Sequence, residues 1–259
     1  MGAPTPPHGF TTRLRDVAVL TRRNVKRIAR TPQLLAASSL QPVLFVLLFR
    51  YVFGGAIHTA GMSYVDYMIP AALLTTTLFA ATTAVAMASD MQGGMIDRFR
   101  SLPIARVAVL AARAIADLLR SSLVVAIVLA LGFALGFAFH NGAGAAIGAI
   151  ALVLAFGFAF IWIFALIGMQ VQEPQTAQLV GMLPLFPLLF ASSAFVPVNT
   201  MPGWLQDFAN VQPVGVTVNA ARALAQGGEV AHWLWPSLAW IAGILIITIP
   251  LAVRRYNRT

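Results

Sequence analysis

Four long stretches without a charged residue constrain this chain more than any other feature. They cover residues 67–89, 121–172, 174–206 and 230–253. Crossing the apolar part of a bilayer takes about 20 helical residues at about 1.5 Å each. The longest stretch, 121–172, is long enough for two crossings, with turn-forming residues at 140–144 between them. The sequence therefore predicts an all-α integral membrane protein.

We expect six membrane-spanning helices in one transmembrane domain over residues 1–259, with predicted spans near 32–53, 67–89, 118–139, 145–169, 177–197 and 233–253. The chain is 59% hydrophobic and 10% charged, whereas soluble domains carry about 25% charged residues. Its first residues are rich in proline and lack the charged-then-apolar order of a cleavable signal peptide, so none is predicted.

The basic residues predict the orientation. With both termini in the cytoplasm, every lysine and arginine except Arg50 and Arg222 falls on the inner side, as the positive-inside rule requires. We therefore expect a multi-pass protein of a bacterial cytoplasmic membrane. The net charge of +9 is explained by this topology, and no nucleic-acid partner is predicted.

Residues 11–31 form a predicted amphipathic helix ahead of the first span. Leu14, Val17, Ala18, Thr21, Val25 and Ile28 share one face, and the arginines lie away from it. Such a helix lies in the inner membrane interface against lipid headgroups. It acts either as a plain anchor or also as a contact for a cytoplasmic partner.

Several kinds of chemistry are excluded or disfavoured. There is no cysteine, and the four histidines are scattered, so no metal site is predicted. The single lysine, Lys26, is not in the glycine-rich context of a P-loop, so this chain cannot bind ATP in that way. The predicted spans lack ionisable residues at mid-membrane depth, which argues against an ion-coupled transporter, a channel or a membrane enzyme.

The loop at residues 90–104 is a candidate docking element. Glycines at 93 and 94 break the preceding helix, and Pro103 ends a short helical stretch that exposes Phe99 and Leu102 beside charged residues. An aromatic anchor with a charged rim suits a docking peg. From these residues alone, an ordinary solvated loop is equally consistent.

Two segments resemble type-2 ABC exporter permeases, most nearly the daunorubicin-resistance-like branch. The first is Gly-Gly-Met-Ile-Asp-Arg-Phe-Arg-Ser-Leu-Pro-Ile at 93–104. The second runs from Gln178-Leu179-Val180 through Ser192-Ser193-Ala194-Phe195-Val196-Pro197 and Met201-Pro202-Gly203-Trp204-Leu205 to Gln212-Pro213 and Ala221-Arg222-Ala223-Leu224. With the basic N-terminal helix and six spans, the resemblance covers nearly the whole chain.

The resemblance implies a permease that pairs with a second permease, identical or related, and with two copies of a cytoplasmic ATP-binding cassette subunit. ATP and magnesium would be bound by that partner, and this chain would need no cofactor. The loop after the second span would seat in the ATPase through Asp97, Arg98, Phe99, Arg100, Leu102 and Pro103. Glu173, in the loop at 170–174, would add a smaller contact.

The outer segment at 198–232 has two interpretations. Its prolines, glycines and tryptophans suit a loop resting on lipid headgroups, whereas the resemblance implies a re-entrant helical hairpin that caps the transport path. Pro197, Pro202, Trp204 and Arg222 are the candidate outer-gate residues. Arg222 would either hold the hairpin or meet lipid phosphate.

Aromatic and hydroxyl side chains in three spans suggest a path for a large amphiphilic substrate. The candidates are Phe45, Phe49, Thr76, Phe79, Phe186, Phe190, Ser192 and Phe195, with Gln41 and Thr75 beside them. The same residue types also serve helix packing and lipid contact. Gly132, Gly136, Gly144 and Gly148 are expected close-packing positions, and Arg50 either pairs with Asp66 or extends to the headgroups.

These observations favour the membrane-spanning permease of an ATP-driven exporter that moves a drug-like molecule or lipid outward. A non-transporting membrane scaffold or assembly protein is the alternative, and an ion-coupled transporter or channel is a third. The sequence does not name the substrate.

Overall fold

The computed structural model describes residues 32–57, 59, 61–79, 82–93, 106–171 and 173–258. The α-helices in this part of the chain are α1 (Pro32–Leu48), α2 (Tyr64–Leu78), α3 (Thr82–Gln92), α4 (Arg106–Ala134), α5 (Gly142–Gln170), α6 (Pro174–Met182), α7 (Leu185–Phe190), α8 (Gly203–Val211), α9 (Pro213–Gln226) and α10 (Val230–Arg258). A π-helical turn, Phe49–Phe53, continues α1, and a 3-10 turn, Val198–Thr200, precedes α8. The predicted interface helix at 11–31 lies outside the described residues.

Four stretches of the described chain are helical, long and apolar enough to cross a membrane. They are Tyr64–Gln92, which joins α2 and α3, and then Val109–Ala134, Gly142–Gln170 and Val230–Tyr256. They match four of the six predicted spans. Ser38–Phe53 is a shorter apolar helix within the predicted first span. The all-helical, multi-pass architecture therefore agrees with the sequence prediction.

The predicted fifth span is not one continuous helix. Residues 177–197 contain the end of α6, all of α7 and a run of turns up to Pro197. Pro184 stands between the two helices, and Pro187 lies inside α7. A proline has no backbone N–H to donate and its ring clashes with the preceding turn. The prediction of an unbroken helix was therefore wrong here.

Helix α4 begins at Arg106, about three turns before the predicted start at 118. The prediction treated the charged residues between 106 and 120 as loop because single charges are costly in a membrane. A helix can extend beyond the apolar part of a bilayer, and arginine is a good helix former, so the charged residues do not end α4.

The centre of the bundle is α5, which packs against α2, α3, α9 and α10. Two glycines of α5 permit the contacts with α2 and α3. A β-carbon at Gly157 would lie 2.5 Å from Thr77 Cβ, and one at Gly168 would lie 2.4 Å from the carbonyl oxygen of Ala84. Neither glycine was among the predicted packing positions. Of those four, Gly132 meets Ile69 closely, Gly148 makes only ordinary contact with Leu224, and Gly136 and Gly144 face open space.

Candidate transport and coupling sites

A shallow recess between α1 and α2 gathers several of the predicted substrate-path residues. It is lined by Gln41, Pro42, Phe45, Ala72, Thr75, Thr76 and Phe79. The hydroxyls of Thr75 and Thr76 donate to the carbonyl oxygens of Ala71 and Ala72, each at 2.8 Å. Their oxygens keep lone pairs that can accept a hydrogen bond. The recess is small and mostly apolar, with the two threonine hydroxyls as its polar groups, so a molecule resting there would meet chiefly aromatic and aliphatic surface.

A cluster of three phenylalanines adjoins the recess. The ring centres of Phe45 and Phe49 are 4.5 Å apart, and Phe195 lies 5.0 Å from Phe45 and 4.6 Å from Phe49. These distances are those of packed aromatic pairs. Phe49 and Phe195 are buried, so the cluster fastens α1 to the turn after α7.

Three other predicted path residues do not line the recess. Phe186 and Phe190 stack on each other with ring centres 6.3 Å apart, and both are exposed on the surface of the described chain. Ser192 is buried, donating to the carbonyl of Leu189 at 2.6 Å and accepting from the N–H of Ala194 at 3.1 Å. Its hydroxyl is used in forming a turn.

The buried Arg222 of α9 is the centre of a polar cluster that also contains Tyr67, Ser193 and Asn219, which we call the hairpin-end cluster. Its Nε donates to the carbonyl of Tyr67 at 3.1 Å, one Nη to Asn219 Oδ1 at 3.0 Å and the other to the carbonyl of Ser193 at 2.8 Å. Its guanidinium carbon lies 3.7 Å from the centre of the Tyr67 ring. Arg222 thus ties α9 to α2 and to the turn after α7.

The other candidate outer-gate residues stand apart from this cluster. Trp204, in the first turn of α8, is 72% exposed, Pro202 is exposed and Pro197 is partly buried. With Phe208 and Val211, which are also exposed, Trp204 forms an apolar surface along α8. The structure therefore separates a buried cation from an exposed aromatic surface.

The junction between α8 and α9 is held at both sides. Gln212 accepts from the N–H of Val214 at 2.8 Å and donates to the carbonyl of Leu188 at 3.0 Å. The indole of Trp240, in α10, donates to the carbonyl of Val211 at 3.0 Å. Gln212 is buried, and its glutamine amide supplies the hydrogen bonds that a buried helix junction needs. No local sequence pattern marks this role.

Asp66 has partners other than Arg50. Within the described residues, its carboxylate accepts from the Ser63 hydroxyl at 2.7 Å and from the N–H of Ala138 at 3.3 Å. Ser63 in turn caps α2 by accepting from the N–H of Asp66 at 3.1 Å. This is the side-chain half of a capping box, because the carboxylate accepts from the Ser63 hydroxyl and not from the Ser63 backbone N–H. The Arg50–Asp66 ion pair, one of the two alternatives predicted for Arg50, is therefore not formed.

The opposite end of the bundle, next to the loop between α3 and α4, carries five interacting polar residues that we call the loop-end cluster. Arg113 pairs with Asp90. Asp117 accepts from the Thr83 hydroxyl at 2.8 Å and lies 3.7 Å from an Nη of Arg120. Arg113, Asp117 and Arg120 are spaced four and three residues apart on α4, a spacing typical of helical ion pairs. That spacing was visible in the sequence, but the arginines were interpreted only as topology signals.

Most of the predicted ATPase contacts, Asp97, Arg98, Phe99, Arg100, Leu102 and Pro103, lie outside the described residues. Glu173 is described. It is exposed, precedes α6 and accepts from the Thr176 hydroxyl at 2.7 Å. Its position at the start of a helix agrees with the favourable interaction of acidic groups with helix N-termini.

Several apolar helices of spanning length, closely packed and with polar clusters at both ends, define a multi-pass membrane protein. Residues 15–225 match the ABC-2 type transporter family, and the chain belongs to that family. It is 34% identical over 219 residues to a daunorubicin resistance ABC transporter permease protein of Streptomyces coeruleorubidus, covering 84% of this chain and 77% of the relative.

Two further relatives are also permeases. A probable doxorubicin resistance ABC transporter permease protein of Mycobacterium tuberculosis is 27% identical over 239 residues, 90% of this chain and 85% of the relative. A putative transport permease of Cyanophora paradoxa is 25% identical over 237 residues, 86% of this chain and 78% of the relative. The chain is thus a permease subunit of an ABC transporter, in which ATPase activity resides on a separate subunit.

Proposed function

We propose that this chain exports a planar, amphiphilic drug-like molecule or a lipid, driven by a separate ATP-binding cassette ATPase. The likeness to a daunorubicin resistance permease over most of both chains carries the proposal. The recess between α1 and α2 supports the substrate class, because Phe45 and Phe79 offer aromatic surfaces and Thr76 a polar contact. The partner binds ATP and magnesium.

The recess is tested by changing its lining. In inverted membrane vesicles containing the complex, we expect Phe45→Ala and Thr76→Val to lower ATP-dependent daunorubicin uptake several-fold. Ile246→Ala is the matched control, since Ile246 is 71% exposed on α10, remote in sequence from the recess. If Phe45→Ala and Thr76→Val transported as well as the control, the substrate path would lie elsewhere.

The proposed topology has six crossings with both termini in the cytoplasm of a bacterial cell. The arginines between Arg98 and Arg120 then lie at the inner side, as do Arg254 and Arg255. In this orientation the loop-end cluster is at the inner face and the hairpin-end cluster at the outer face. The first crossing is α1 with its π-helical turn, and the fifth is the broken segment of α6 and α7.

The pair α8–α9 is proposed to re-enter the outer leaflet. Val211, at the end of α8, accepts a hydrogen bond from Trp240, which lies ten residues after Val230 at the start of α10. At 1.5 Å per residue this corresponds to about 15 Å along α10. α9 then returns, because its penultimate residue Ala225 accepts from the N–H of His140 at 2.9 Å in the turn between α4 and α5.

The ATPase is proposed to dock on residues 97–103, with a smaller contact at Glu173. Two ATPase copies and a second permease, identical or related, complete the assembly. Co-purification in mild detergent tests the docking: Phe99→Ala/Arg100→Glu is expected to abolish binding that the wild-type chain retains. Undiminished binding would move the contact elsewhere. A wild-type chain that binds the ATPase without any substrate-linked activity would favour the scaffold alternative.

A further inference from the structure

The loop-end cluster joins the two helices that flank the proposed docking loop. Asp90 is near the end of α3, and Arg113 is in the second turn of α4. Their side chains pair directly and are each 27% exposed. About two turns further from the loop on α3, the buried Thr83 donates to Asp117, which also faces Arg120. The contacts therefore form two rungs between antiparallel helices.

These rungs connect helices whose main packing is with others. α3 packs chiefly on α5 and α6, whereas α4 packs on α5, α2 and α1. Met87 of α3 and Leu110 and Ala114 of α4 share one buried apolar cluster. Among the described residues, the directional contacts between these two helices are the two rungs. Hydrogen bonds and ion pairs fix a relative register, which apolar contact alone does not.

The charges are balanced within the cluster. Two carboxylates meet two guanidiniums, so none of the four is left without an opposite charge at the end of an apolar bundle, where a lone charge is costly. The Nε of Arg113 is nevertheless buried without a partner. The Asp90–Arg113 rung therefore relies on one Nη of Arg113, not on the two-pronged contact that an arginine can make.

We propose that the Asp90–Arg113 and Thr83–Asp117–Arg120 rungs lock the two stems of the docking loop into one unit, so that a push on the loop moves α3 and α4 together. The residues are positioning residues: they touch neither substrate nor nucleotide. This inference rests on the proposed export function and adds the route by which ATPase closure reaches the membrane helices. Without the rungs, a displacement of the loop would move one of the two helices, α3 or α4, less than the other.

The test measures daunorubicin uptake per ATP hydrolysed in inverted vesicles that contain the complex. For Asp90→Asn and Arg113→Met we expect near-normal ATPase activity and uptake per ATP lowered about tenfold, as for loss of one coupling contact. The charge swap Asp90→Arg/Arg113→Asp restores the opposite-charge pair and is expected to recover most of the coupling. A contact that only stabilised the fold would lower protein yield and leave uptake per ATP unchanged.

A second experiment replaces the ion pair by a removable link. The natural chain has no cysteine, so Asp90→Cys/Arg113→Cys gives this chain two thiols. A short bis-methanethiosulfonate reagent joins the two thiols through two disulfides and releases methanesulfinate from each end. Coupling is expected to be lost in the double variant, recovered on cross-linking and lost again on reduction. Unchanged uptake per ATP in all these variants overturns the inference alone. A wild-type complex that hydrolyses ATP without uptake overturns the export function, and the coupling role with it.

Discussion

The two polar clusters at opposite ends of the bundle are built in different ways. At the hairpin end, one arginine, Arg222, is buried and surrounded by neutral acceptors, with no carboxylate at ion-pair distance within the described residues. At the loop end, two arginines face two aspartates, and the Asp90–Arg113 pair is partly exposed with one N–H left over. In the hairpin-end cluster each nitrogen of the buried Arg222 has an acceptor, whereas in the loop-end cluster the Nε of Arg113 has none.

The difference has a mechanical consequence. Two of the acceptors of Arg222 are backbone carbonyls, whose positions are set by α2 and by the turn after α7. Any displacement of those segments breaks buried hydrogen bonds, which is costly. The loop-end contacts instead join side chain to side chain across α3 and α4, so the two helices can be displaced together without breaking these contacts. The hairpin end is therefore the rigid part of the molecule and the loop end the part suited to transmitting motion.

The largest expected effect is that of Arg222→Ala. Removing the guanidinium leaves three acceptors without this donor, and we expect the free energy of unfolding to fall by about 3 kcal/mol. Thermal unfolding in detergent, followed by the fluorescence of the five tryptophans, measures it.

Arg222→Lys is the matched control. It keeps the charge but lacks the planar fork that serves several acceptors at once, so it should recover only part of the lost stability. If Arg222→Ala unfolded at the wild-type temperature, the hairpin-end cluster would not be the rigid anchor described here.

A smaller effect is expected from Gly168→Ala, which wedges α5 away from α3. The added β-carbon would lie 2.4 Å from the carbonyl oxygen of Ala84 and 2.8 Å from Met87 Cβ. Overpacking of this kind costs about 2 kcal/mol. Gly243→Ala, on α10, has no atom within 4 Å of the added carbon and should unfold no earlier than wild type. Equal behaviour of the two variants would contradict the close α3–α5 contact.

The smallest effect is predicted for Tyr67→Phe. It removes a hydroxyl that donates to the carbonyl of Ser193 at 2.8 Å while keeping the ring under Arg222, so we expect a loss of about 1 kcal/mol. Tyr64→Phe removes a longer contact, 3.4 Å to the carbonyl of Phe195, and should cost less. The reverse order in the same unfolding assay would mean that the shorter hydrogen bond does not contribute to the cluster.

The fold followed from the sequence where one physical effect dominated. Charge-free stretches predicted α5 and α10 closely, because burying so many apolar residues in a membrane outweighs other effects. Where two effects competed, the prediction was wrong. Hydropathy favoured one helix across 177–197, but Pro184 breaks it. The charges near Arg113 suggested a loop, but α4 is helical from Arg106 onward and its Arg113 pairs with Asp90.

The candidate sites could likewise be predicted where one local effect dominated. Phe45, Thr76 and Phe79 come together in the recess because each is set by its position on a helix face. Partners distant in the chain were not predictable. The hydrogen bonds from Arg222 to Tyr67 and from Trp240 to Val211 depend on how α9 and α10 pack. Local sequence patterns do not indicate how helices distant in the chain pack together. The choice of Ser63 and Ala138 over Arg50 as partners of Asp66 has the same origin.

The most direct test of the central claim is daunorubicin uptake into inverted membrane vesicles that contain this chain with its ATPase, compared with vesicles that contain either subunit alone. The account predicts uptake that requires both subunits and hydrolysable ATP and that persists when the proton gradient is dissipated. Uptake by the chain alone under an ion gradient, or no uptake by a complex that hydrolyses ATP, would contradict it.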